Sequence, residues 1–387
     1  MKITIVAGAR PNFMKIAPII RAIEAAQTSV ELSYRLVHTG QHYDEKMSAT
    51  FFRQLSIPEP HVNLGSGSGT QAEQAASIMV CFEKELTEHR PDVVLVVGDV
   101  TSTMACTIAA KKLCIDVAHV EAGIRSFDLT MPEEINRMIT DSIADHFFTT
   151  SEAANQNLRK AGIDNHRIHF VGNTMIDNLY QQLDNIRKPL CWQQNDLKTG
   201  RFFLVTLHRP GNVDQPGCLG ALLDAILQQC DGYPVIFPVH PRTKKNLPEK
   251  YFSIPQLVLV DPLGYLEFIY LVKNAKGVIT DSGGITEETT VLGVPCITLR
   301  DSTERPETVS IGSNELAGSD PASMVRYIDK IMTNQWKKSS IPPLWDGKAS
   351  TRIVKRLVSL YKNSLESNIH FSRVSTPAFT SNVPSLQ

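Results

Sequence analysis

Three acidic residues follow strand-like segments in the first half of the chain. Asp99 comes just after the apolar run 93–97, Glu121 just after the run 115–119, and Glu133 twelve residues beyond Glu121. A carboxylate at the end of a buried strand is costly unless it is paired or functional. Because clustered carboxylates push one another's pKa values apart, they can divide acid and base roles at neutral pH. The spacing therefore predicts a set of proton-transferring acids.

Each of these acids also has a purely structural interpretation. Asp99 could cap a helix that begins near Thr101. Arg125 or Arg137 could neutralise Glu121 without any chemical role. The three acids follow successive strands of one predicted domain, and this favours the chemical interpretation of the set.

Positive groups follow the first predicted strand. Gly8 allows a tight turn, Arg10 lies in the loop, and Lys15 lies about one turn into the next helix. A helix N-terminus with two nearby cations suits a diphosphate group. The dinucleotide-binding pattern G-x-G-x-x-G is absent here. A tight turn carrying two surface cations remains the alternative.

The second half of the chain offers a histidine and a glycine-rich turn. His208 follows a strand-like run and is a candidate general acid or base, or a phosphate ligand. Ser282, Gly283 and Gly284 follow another run and open a helix, the strongest anion-binding pattern in the chain. Glu288 lies one turn further and could accept bonds from ribose hydroxyls. A helix capped by Ser282 and, at 300–307, a solvated charged loop are the structural alternatives.

Short apolar runs alternate with helical stretches along the chain. The predicted strands span 2–6, 34–38, 93–97, 115–119, 202–207, 235–239, 257–260, 277–280 and 296–299. The predicted helices span 12–26, 44–55, 71–89, 101–113, 175–186, 219–230, 285–292 and 349–367. Continuous apolar strands between helices are typical of parallel sheets covered on both faces. Two such series predict an α/β protein with two doubly wound domains and a site in the cleft between them.

The predicted domain boundary follows residue 173. Residues 1–173 form the N-terminal domain and residues 174–348 the C-terminal domain. The last helix, 349–367, has no following strand and could pack on either domain. The tail 368–387 is rich in Ser, Thr, Pro and Asn, so we expect it to be poorly ordered.

Composition excludes several classes of protein. The 387 residues carry 39 basic and 40 acidic side chains, a net charge of −1, which argues against a nucleic-acid partner. No apolar run reaches the length of about 18 residues that a membrane span needs. The seven cysteines lack C-x-x-C spacing and predict reduced thiols in the cytoplasm, not disulfides or a zinc site.

Taken together, seven motifs resemble the non-hydrolysing UDP-N-acetylglucosamine 2-epimerases, in order from residue 1 to about 365. They are Gly-x-Arg-Pro-x-x-x-Lys (8–15), His-Thr-Gly-Gln-His-Tyr (38–43), Gly-Asp-x-x-Ser-Thr (98–103), His-Val-Glu-Ala-Gly-Ile-Arg (119–125), Met-Pro-Glu-Glu-x-Asn-Arg (131–137), Asp-Ser-Gly-Gly-Ile-x-Glu-Glu (281–288) and Arg-Asp-Ser-Thr-Glu-Arg-Pro-Glu (300–307). The set as a whole is specific, although no single motif is.

This resemblance implies a fold, a reaction and an assembly. The fold is of the GT-B type, with two Rossmann-like domains, and the last helix crosses back to the first domain. The reaction interconverts UDP-GlcNAc and UDP-ManNAc by elimination of UDP to 2-acetamidoglucal, followed by protonation on the other face of C2 and re-addition of UDP. It needs no cofactor and no metal. A homodimer is the implied assembly.

The resemblance also implies roles for particular residues. The implied catalytic residues are Asp99, Glu121, Glu133, His208 and Lys15. The implied substrate-binding residues are Arg10, Lys15, His208, Ser282, Gly283, Gly284, Glu288 and Arg305, with Leu263, Gly264 and Phe268 near the uracil. Which carboxylate removes the proton and which returns one stays open.

Some features depart from the family pattern or fit a subgroup. Gln-His-Tyr-Asp at 41–44 differs from the stretch on which many bacterial members build a regulatory site. The motif at 38–44, with Arg-Ser-Phe at 125–127, resembles members that epimerise modified sugars such as UDP-2,3-diacetamido-2,3-dideoxyglucuronate. A hydrolysing epimerase, a GT-B glycosyltransferase and a UDP-sugar-binding regulator are the remaining alternatives.

Overall fold

The computed structural model describes residues 1–41, 57–67, 69–215, 217–230, 232–318 and 320–374. The predicted helix 44–55 and the end of the motif 38–44 lie outside these residues. Two parallel sheets organise the described chain, and each forms the centre of one lobe.

The first sheet has seven parallel strands in the order β3-β2-β1-β4-β5-β6-β7. They are β1 (Lys2–Ala7), β2 (Ser33–His38), β3 (Val62–Asn63), β4 (Val93–Val97), β5 (Asp116–Val120), β6 (His146–Thr149) and β7 (Ile168–Phe170). All five residues of β4 are buried apolar side chains, as expected for a central strand covered by helices on both faces. Strand order reverses at β1 and β4, so a ligand-binding crevice is expected there.

The second sheet has six parallel strands in the order β10-β9-β8-β11-β12-β13. They are β8 (Phe203–Thr206), β9 (Val235–Pro238), β10 (Leu257–Val260), β11 (Gly277–Thr280), β12 (Cys296–Thr298) and β13 (Asn314–Leu316). Here the order reverses between β8 and β11, which are paired neighbours. The predicted α/β fold of the GT-B type, with two Rossmann-like lobes, is confirmed.

Helices connect the strands in both lobes. In the first lobe and the connection they are α1 (Arg10–Ala26), α2 (Gln71–Glu88), α3 (Thr101–Lys112), α4 (Pro132–Ile143), α5 (Glu152–Lys160), α6 (Thr174–Gln182) and α7 (Leu190–Gln194). They continue with α8 (Pro210–Val213), α9 (Cys218–Gln229), α10 (Pro241–Lys245), α11 (Tyr265–Asn274), α12 (Gly283–Leu292), α13 (Pro306–Ser310), α14 (Pro321–Met332) and α15 (Ala349–Val374). Of the helices within the described ranges, none combines the length and apolarity of a membrane span.

The chain returns to the first lobe through α15. Ile353, Val354 and Leu357 of this helix are buried in the same apolar core as α1. The Asp177 carboxylate on α6 accepts hydrogen bonds from the backbone N–H groups of Ala349 and Ser350 at 3.0 and 2.6 Å. A carboxylate at this position satisfies the exposed N–H groups that every helix start carries.

Helix α15 extends beyond its predicted end. It was expected to stop at residue 367, but it continues to Val374. The composition of the tail suggested disorder, yet the sequence has no helix-breaking proline or glycine between 349 and 376. Residues 375–387 lie outside the described chain.

Every strand predicted from the sequence is present, but four shorter strands were missed. These are β3, β6, β7 and β13, which contain between two and four residues. Both β6 and β7 carry histidines, His146 and His169, which weaken the continuous apolar signal. Such short runs cannot be separated from turns by periodicity alone.

Histidine burial predicts a loss of stability in acid. The half-buried His169 ring lies 5.3 Å from Phe148, and burial lowers its pKa to about 4. Burial has the same effect on His38, whose pKa is also about 4. Below the ordinary histidine pKa of about 6.5, the unfolded chain takes up protons that the folded chain does not. Stability therefore decreases as the pH falls from about 6.5 towards 4.

We expect the melting temperature to fall over this pH window and to fall less in His169→Phe. The exposed His89 provides the control, since His89→Gln should retain the full pH dependence of the native chain. An unchanged pH dependence of melting in His169→Phe would contradict the assignment to His169.

Candidate active site

Asp99 and Glu121 lie directly after the paired strands β4 and β5. Each carboxylate is held by a cation from a helix. The Lys15 Nζ atom on α1 lies 2.5 Å from Glu121 Oε2. The Arg137 guanidinium on α4 makes a very close ion pair with Asp99 Oδ2. The sequence had offered Arg125 or Arg137 as partners of Glu121, and the structure places neither of them there.

The backbone of this site is forced into unusual conformations. Glu121 has φ of +68°, a value that only glycine adopts without strain. Gly98 also has φ of +68°, and a Cβ atom there would lie 3.1 Å from Lys15 Nζ. Glycine at 98 therefore leaves room for the ion pair that holds Glu121.

A buried network fixes the segment that carries Glu121. His119 Nδ1 lies 2.7 Å from Asp141 Oδ1, and His119 Nε2 lies 2.9 Å from the Gly98 carbonyl oxygen. The second Asp141 oxygen accepts bonds from Arg125 at 2.6 Å and from the Gly123 N–H at 3.1 Å. Arg125 thus stabilises the loop instead of neutralising Glu121.

The cations keep both carboxylates ionised. Burial opposes ionisation of Asp99, but the charges of Arg137 and Lys15 outweigh it and hold its pKa below the ordinary value. Burial likewise opposes ionisation of Glu121, and here Lys15 and Arg305 hold the pKa down. At neutral pH the site therefore contains two carboxylates able to accept protons.

The helical phase of α4 separates two neighbouring glutamates. Glu133 is exposed, whereas Glu134 is buried. The Glu134 carboxylate accepts bonds from the Ser126 and Phe127 N–H groups at 2.8 and 3.1 Å and from Arg137 at 2.9 Å. In this arrangement Glu134 is structural, whereas Glu133 is exposed to solvent.

Two side chains of the second lobe cross the cleft. Arg305 Nη2 lies 3.5 Å from Glu121 Oε1, and Arg305 Nε makes a close ion pair with Glu287. The preceding residue, Glu304, places Oε2 at 2.9 Å from Arg137 Nη2. The segment just before α13 therefore contacts Glu121 directly and Asp99 through its partner Arg137.

The charged segment 300–307 is consequently only in part a solvated loop, since Asp301 and Ser302 are exposed while its two ends are buried. Arg300 and Glu307 are only 8% and 5% exposed. The sequence pattern missed this because it shows the density of charge but not which surface lies opposite the loop.

His208 is held by a buried carboxylate. His208 Nδ1 lies 2.9 Å from Asp281 Oδ1, and the Asp281 side chain is fully buried. The same carboxylate accepts bonds from the Arg209 N–H at 2.8 Å and from Asn212 Nδ2 at 3.1 Å. Burial would raise the pKa of Asp281, but its bond to His208 helps to lower it. The exposed part of the imidazole therefore carries Nε2.

The start of α12 lies beside His208, since β8 and β11 are neighbours. Ser282 precedes the helix but makes no capping bond with its side chain, so the predicted structural alternative does not apply. Gly283 and Gly284 form the first turn and leave its N–H groups accessible to an anion. Glu288 is buried, and burial raises its pKa to about 8.

The remaining candidates take separate places. Gly264 precedes α11, and half-buried Leu263 and Phe268 pack on the same face of the second sheet. Arg10 opens α1 in the first lobe, and its side chain lies outside the described part of the chain.

A cavity of about 670 Å³ opens between the lobes; its described lining includes Arg209 and Asn212, which follow His208, but none of the site residues predicted from the sequence. Asp128 and Met131 line it from the first lobe, and Arg209 and Arg300 line it from the second. This volume suits a ligand of nucleotide-sugar size at the shared cleft.

Sequence reasoning missed Arg137, Asp281 and Asn12 as members of the site. The Asn12 side chain accepts bonds from the Gly8 and Ala9 N–H groups and donates to the Val97 carbonyl at 3.0 Å, so it joins the loops after β1 and β4. All three residues lie within the motifs quoted above. Their closeness in sequence to the candidate residues was the signal that could have identified them.

A GT-B-type fold with ionised carboxylates on one lobe and a glycine-opened helix on the other is typical of enzymes that act on nucleotide sugars. The family model described as UDP-N-acetylglucosamine 2-epimerase matches residues 24–358. The chain belongs to this family of isomerases.

Named relatives agree with this placement. The chain is 43% identical to the UDP-N-acetylglucosamine 2-epimerase of Methanocaldococcus jannaschii over 370 residues, which cover 92% of this chain and 99% of the relative. It is 37% identical to the UDP-2,3-diacetamido-2,3-dideoxy-D-glucuronate 2-epimerase of Pseudomonas aeruginosa over 365 residues, which cover 93% and 100%. The crystal structure of the M. jannaschii UDP-GlcNAc 2-epimerase with UDP-GlcNAc and UDP superposes with a TM-score of 0.81 at 42% identity, covering 93% of this chain and 100% of that chain.

Proposed function

We propose that the protein interconverts UDP-GlcNAc and UDP-ManNAc without hydrolysis. One observation carries this proposal: Arg305 lies 3.5 Å from Glu121 and thereby joins the carboxylate site of the first lobe to the second lobe. A sugar whose C2 lies near Asp99 and Glu121 can have its diphosphate near His208 and the start of α12. Elimination of a diphosphate across C1–C2 requires a proton acceptor near C2 and positive groups near the diphosphate within one cleft.

The proposed reaction begins with removal of the C2 proton by a carboxylate. The C1–O bond then breaks, UDP leaves, and a C1=C2 double bond forms in 2-acetamidoglucal. A second group protonates C2 from the opposite face, and UDP adds back to C1. Asp99, Glu121 and Glu133 are the proposed proton-handling groups, and Lys15 keeps Glu121 ionised and oriented.

The leaving diphosphate gains negative charge and needs positive partners. We propose that His208, Arg10, Lys15 and Arg305 supply them together with the N–H groups at Gly283 and Gly284. Ser282 supplies a hydroxyl at the same turn.

The nucleoside end is assigned to the second lobe. Glu288 would accept a bond from the ribose, and Leu263, Gly264 and Phe268 would contact the uracil. These assignments follow the family motif, and the common position of these residues beyond the second sheet supports them.

A second substrate deserves comparison, namely a UDP sugar with an acidic C6 group. Arg209 and Arg300 both line the cavity, and Arg300 lies 3.7 Å from Glu304. Burial and repulsion by Arg209 lower the pKa of Arg300 and outweigh the negative charges of Glu304 and Asp281. A sugar carboxylate could occupy this place, and the P. aeruginosa relative is named for such a substrate.

Exchange of the C2 proton in D₂O distinguishes the two substrates. The enzyme is incubated separately with UDP-GlcNAc and with UDP-2,3-diacetamido-2,3-dideoxyglucuronate, and deuterium at C2 is followed by NMR. We expect exchange and epimerisation of UDP-GlcNAc. Deuterium exchange with the uronate alone would show that the uronate, not UDP-GlcNAc, is the substrate. Steady release of free sugar and UDP would indicate hydrolysis.

We also propose a homodimer in the cytoplasm. Exposed apolar side chains on neighbouring surfaces of the first lobe support the dimer; they are Val80 on α2, Leu129, and Ile135 and Met138 on α4. Seven unpaired cysteines support a reducing compartment. Light scattering should give a dimer mass for the native chain and a monomer mass for Ile135→Asp/Met138→Asp; a dimeric variant would count against this surface.

A further inference from the structure

Arg137 holds carboxylates from both lobes. Its Nη2 atom contacts Asp99 Oδ2 closely and lies 2.9 Å from Glu304 Oε2. Its Nη1 atom lies 2.9 Å from Glu134 Oε2. The Arg137 side chain is 4% exposed, so water contributes little to balancing its charge.

The two glutamate partners of Arg137, Glu134 and Glu304, differ in how firmly they are fixed relative to the first lobe. Glu134 stands one turn away on α4 and accepts three further bonds from Ser126 and Phe127, so it fixes Arg137 to the first lobe. Glu304 belongs to the second lobe and is 16% exposed. Any change in the separation of the lobes therefore alters the contact with Glu304 and leaves the contact with Glu134 in place.

We propose that Glu304 is a positioning residue that sets how strongly Arg137 binds Asp99, so that proton transfer by Asp99 depends on contact between the lobes. This inference rests on the proposed function. A guanidinium group shared by two carboxylates on one nitrogen stabilises each of them less than a guanidinium group bound to one. With Glu304 withdrawn, Arg137 pairs more strongly with Asp99, which then becomes a weaker base.

The charges around Asp99 determine the sign of the effect. Three cations face it from separate segments: Arg137 on α4, Lys15 on α1, and Arg305 before α13. The Glu121 carboxylate after β5 faces it with the opposite sign. Removal of the negative charge on Glu304 leaves the positive charge of these cations less neutralised. The ionised form of Asp99 is then favoured further, and its pKa falls.

Because the reaction is reversible, the inference does not depend on whether Asp99 donates or accepts the proton. A group that donates a proton in one direction accepts it in the other. A change at Glu304 should therefore affect turnover of both UDP-GlcNAc and UDP-ManNAc.

Glu304→Gln tests the inference by two independent measurements. The first is NMR titration of the Asp99 carboxyl group with ¹³C-labelled aspartate, with UDP present and with Asp99→Asn to assign the signal. We expect the titration midpoint of Asp99 to fall by about half a pH unit or more. The second is the pH profile of kcat, in which the acidic limb should shift the same way and the plateau fall about tenfold, with KM within about twofold.

Matched variants separate this role from a structural one. Glu304→Asp keeps the charge and should lie between the native chain and Glu304→Gln. Glu315→Gln removes a glutamate of the same lobe that pairs with Lys337 at 3.4 Å, and it should leave both measurements unchanged.

The outcomes are distinguishable. An Asp99 midpoint that does not move in Glu304→Gln overturns the inference, whatever happens to activity. A moved midpoint with an unchanged kcat profile overturns the link to proton transfer. A native chain that turns over neither UDP sugar defeats the proposed function, while the NMR titration still decides whether Glu304 acts on Asp99.

Discussion

Glu121→Gln should abolish nearly all turnover while the protein still binds UDP. The substitution keeps the shape of the side chain but removes the charge that Lys15 and Arg305 contact at 2.5 and 3.5 Å. A positioned acid or base contributes roughly 10²–10⁴ to the rate. We therefore expect kcat and C2 deuterium exchange to fall by about that factor. Calorimetric titration should show UDP affinity within about fivefold of the native value, because the uridine and most of the proposed diphosphate partners belong to the other lobe.

Loss of a buried ion pair could by itself disturb the enzyme, so a matched control is needed. Glu85 is 7% exposed and pairs with Arg35 in the same lobe, outside the cleft. Glu85→Gln should lower the melting temperature yet retain most of the activity. Full deuterium exchange in Glu121→Gln, or an equal loss of activity in Glu85→Gln, would remove Glu121 from its assigned role.

The fold was largely predictable because its signal is local. Buried parallel strands such as β4 are continuous apolar runs, and the alternation of such runs with helices defines the layers. Strands such as β13 were missed because three residues carry too little pattern. The far end of α15 was missed for a different reason, since polar composition was weighed above the absence of a helix breaker.

The candidate site was predictable only in part, because its residues were chosen by position after strands. That rule located Asp99 and Glu121 but could not supply their partners. Arg137 and Glu304 meet across the cleft, and contacts between lobes depend on packing that no local pattern encodes. The phase of α4, which exposes Glu133 and buries its neighbour, required the exact start of the helix, and boundaries are the weakest part of pattern reasoning.

His208→Ala should give the second large loss of turnover. The imidazole is 55% exposed and its Nδ1 atom is bound to Asp281, so Nε2 is the atom available to the departing diphosphate. Loss of a proton donor to a leaving group should lower kcat by about a hundredfold or more. KM should change less, because Ser282 and the start of α12 still bind the phosphates. An unchanged kcat would exclude a role at the leaving group.

The Asp281 carboxylate should act through His208 and not independently. Asp281→Asn should lower kcat about tenfold, since an amide orients the imidazole less well and does not stabilise its protonated form. The control Asp224→Asn removes an exposed carboxylate that binds Lys250 at 2.8 Å in the same lobe, and it should leave kcat unchanged. If Asp281 works through the imidazole, Asp281→Asn will slow the His208→Ala enzyme little further. An equal further loss in the double variant would instead assign Asp281 to holding the loop through the Arg209 N–H and Asn212.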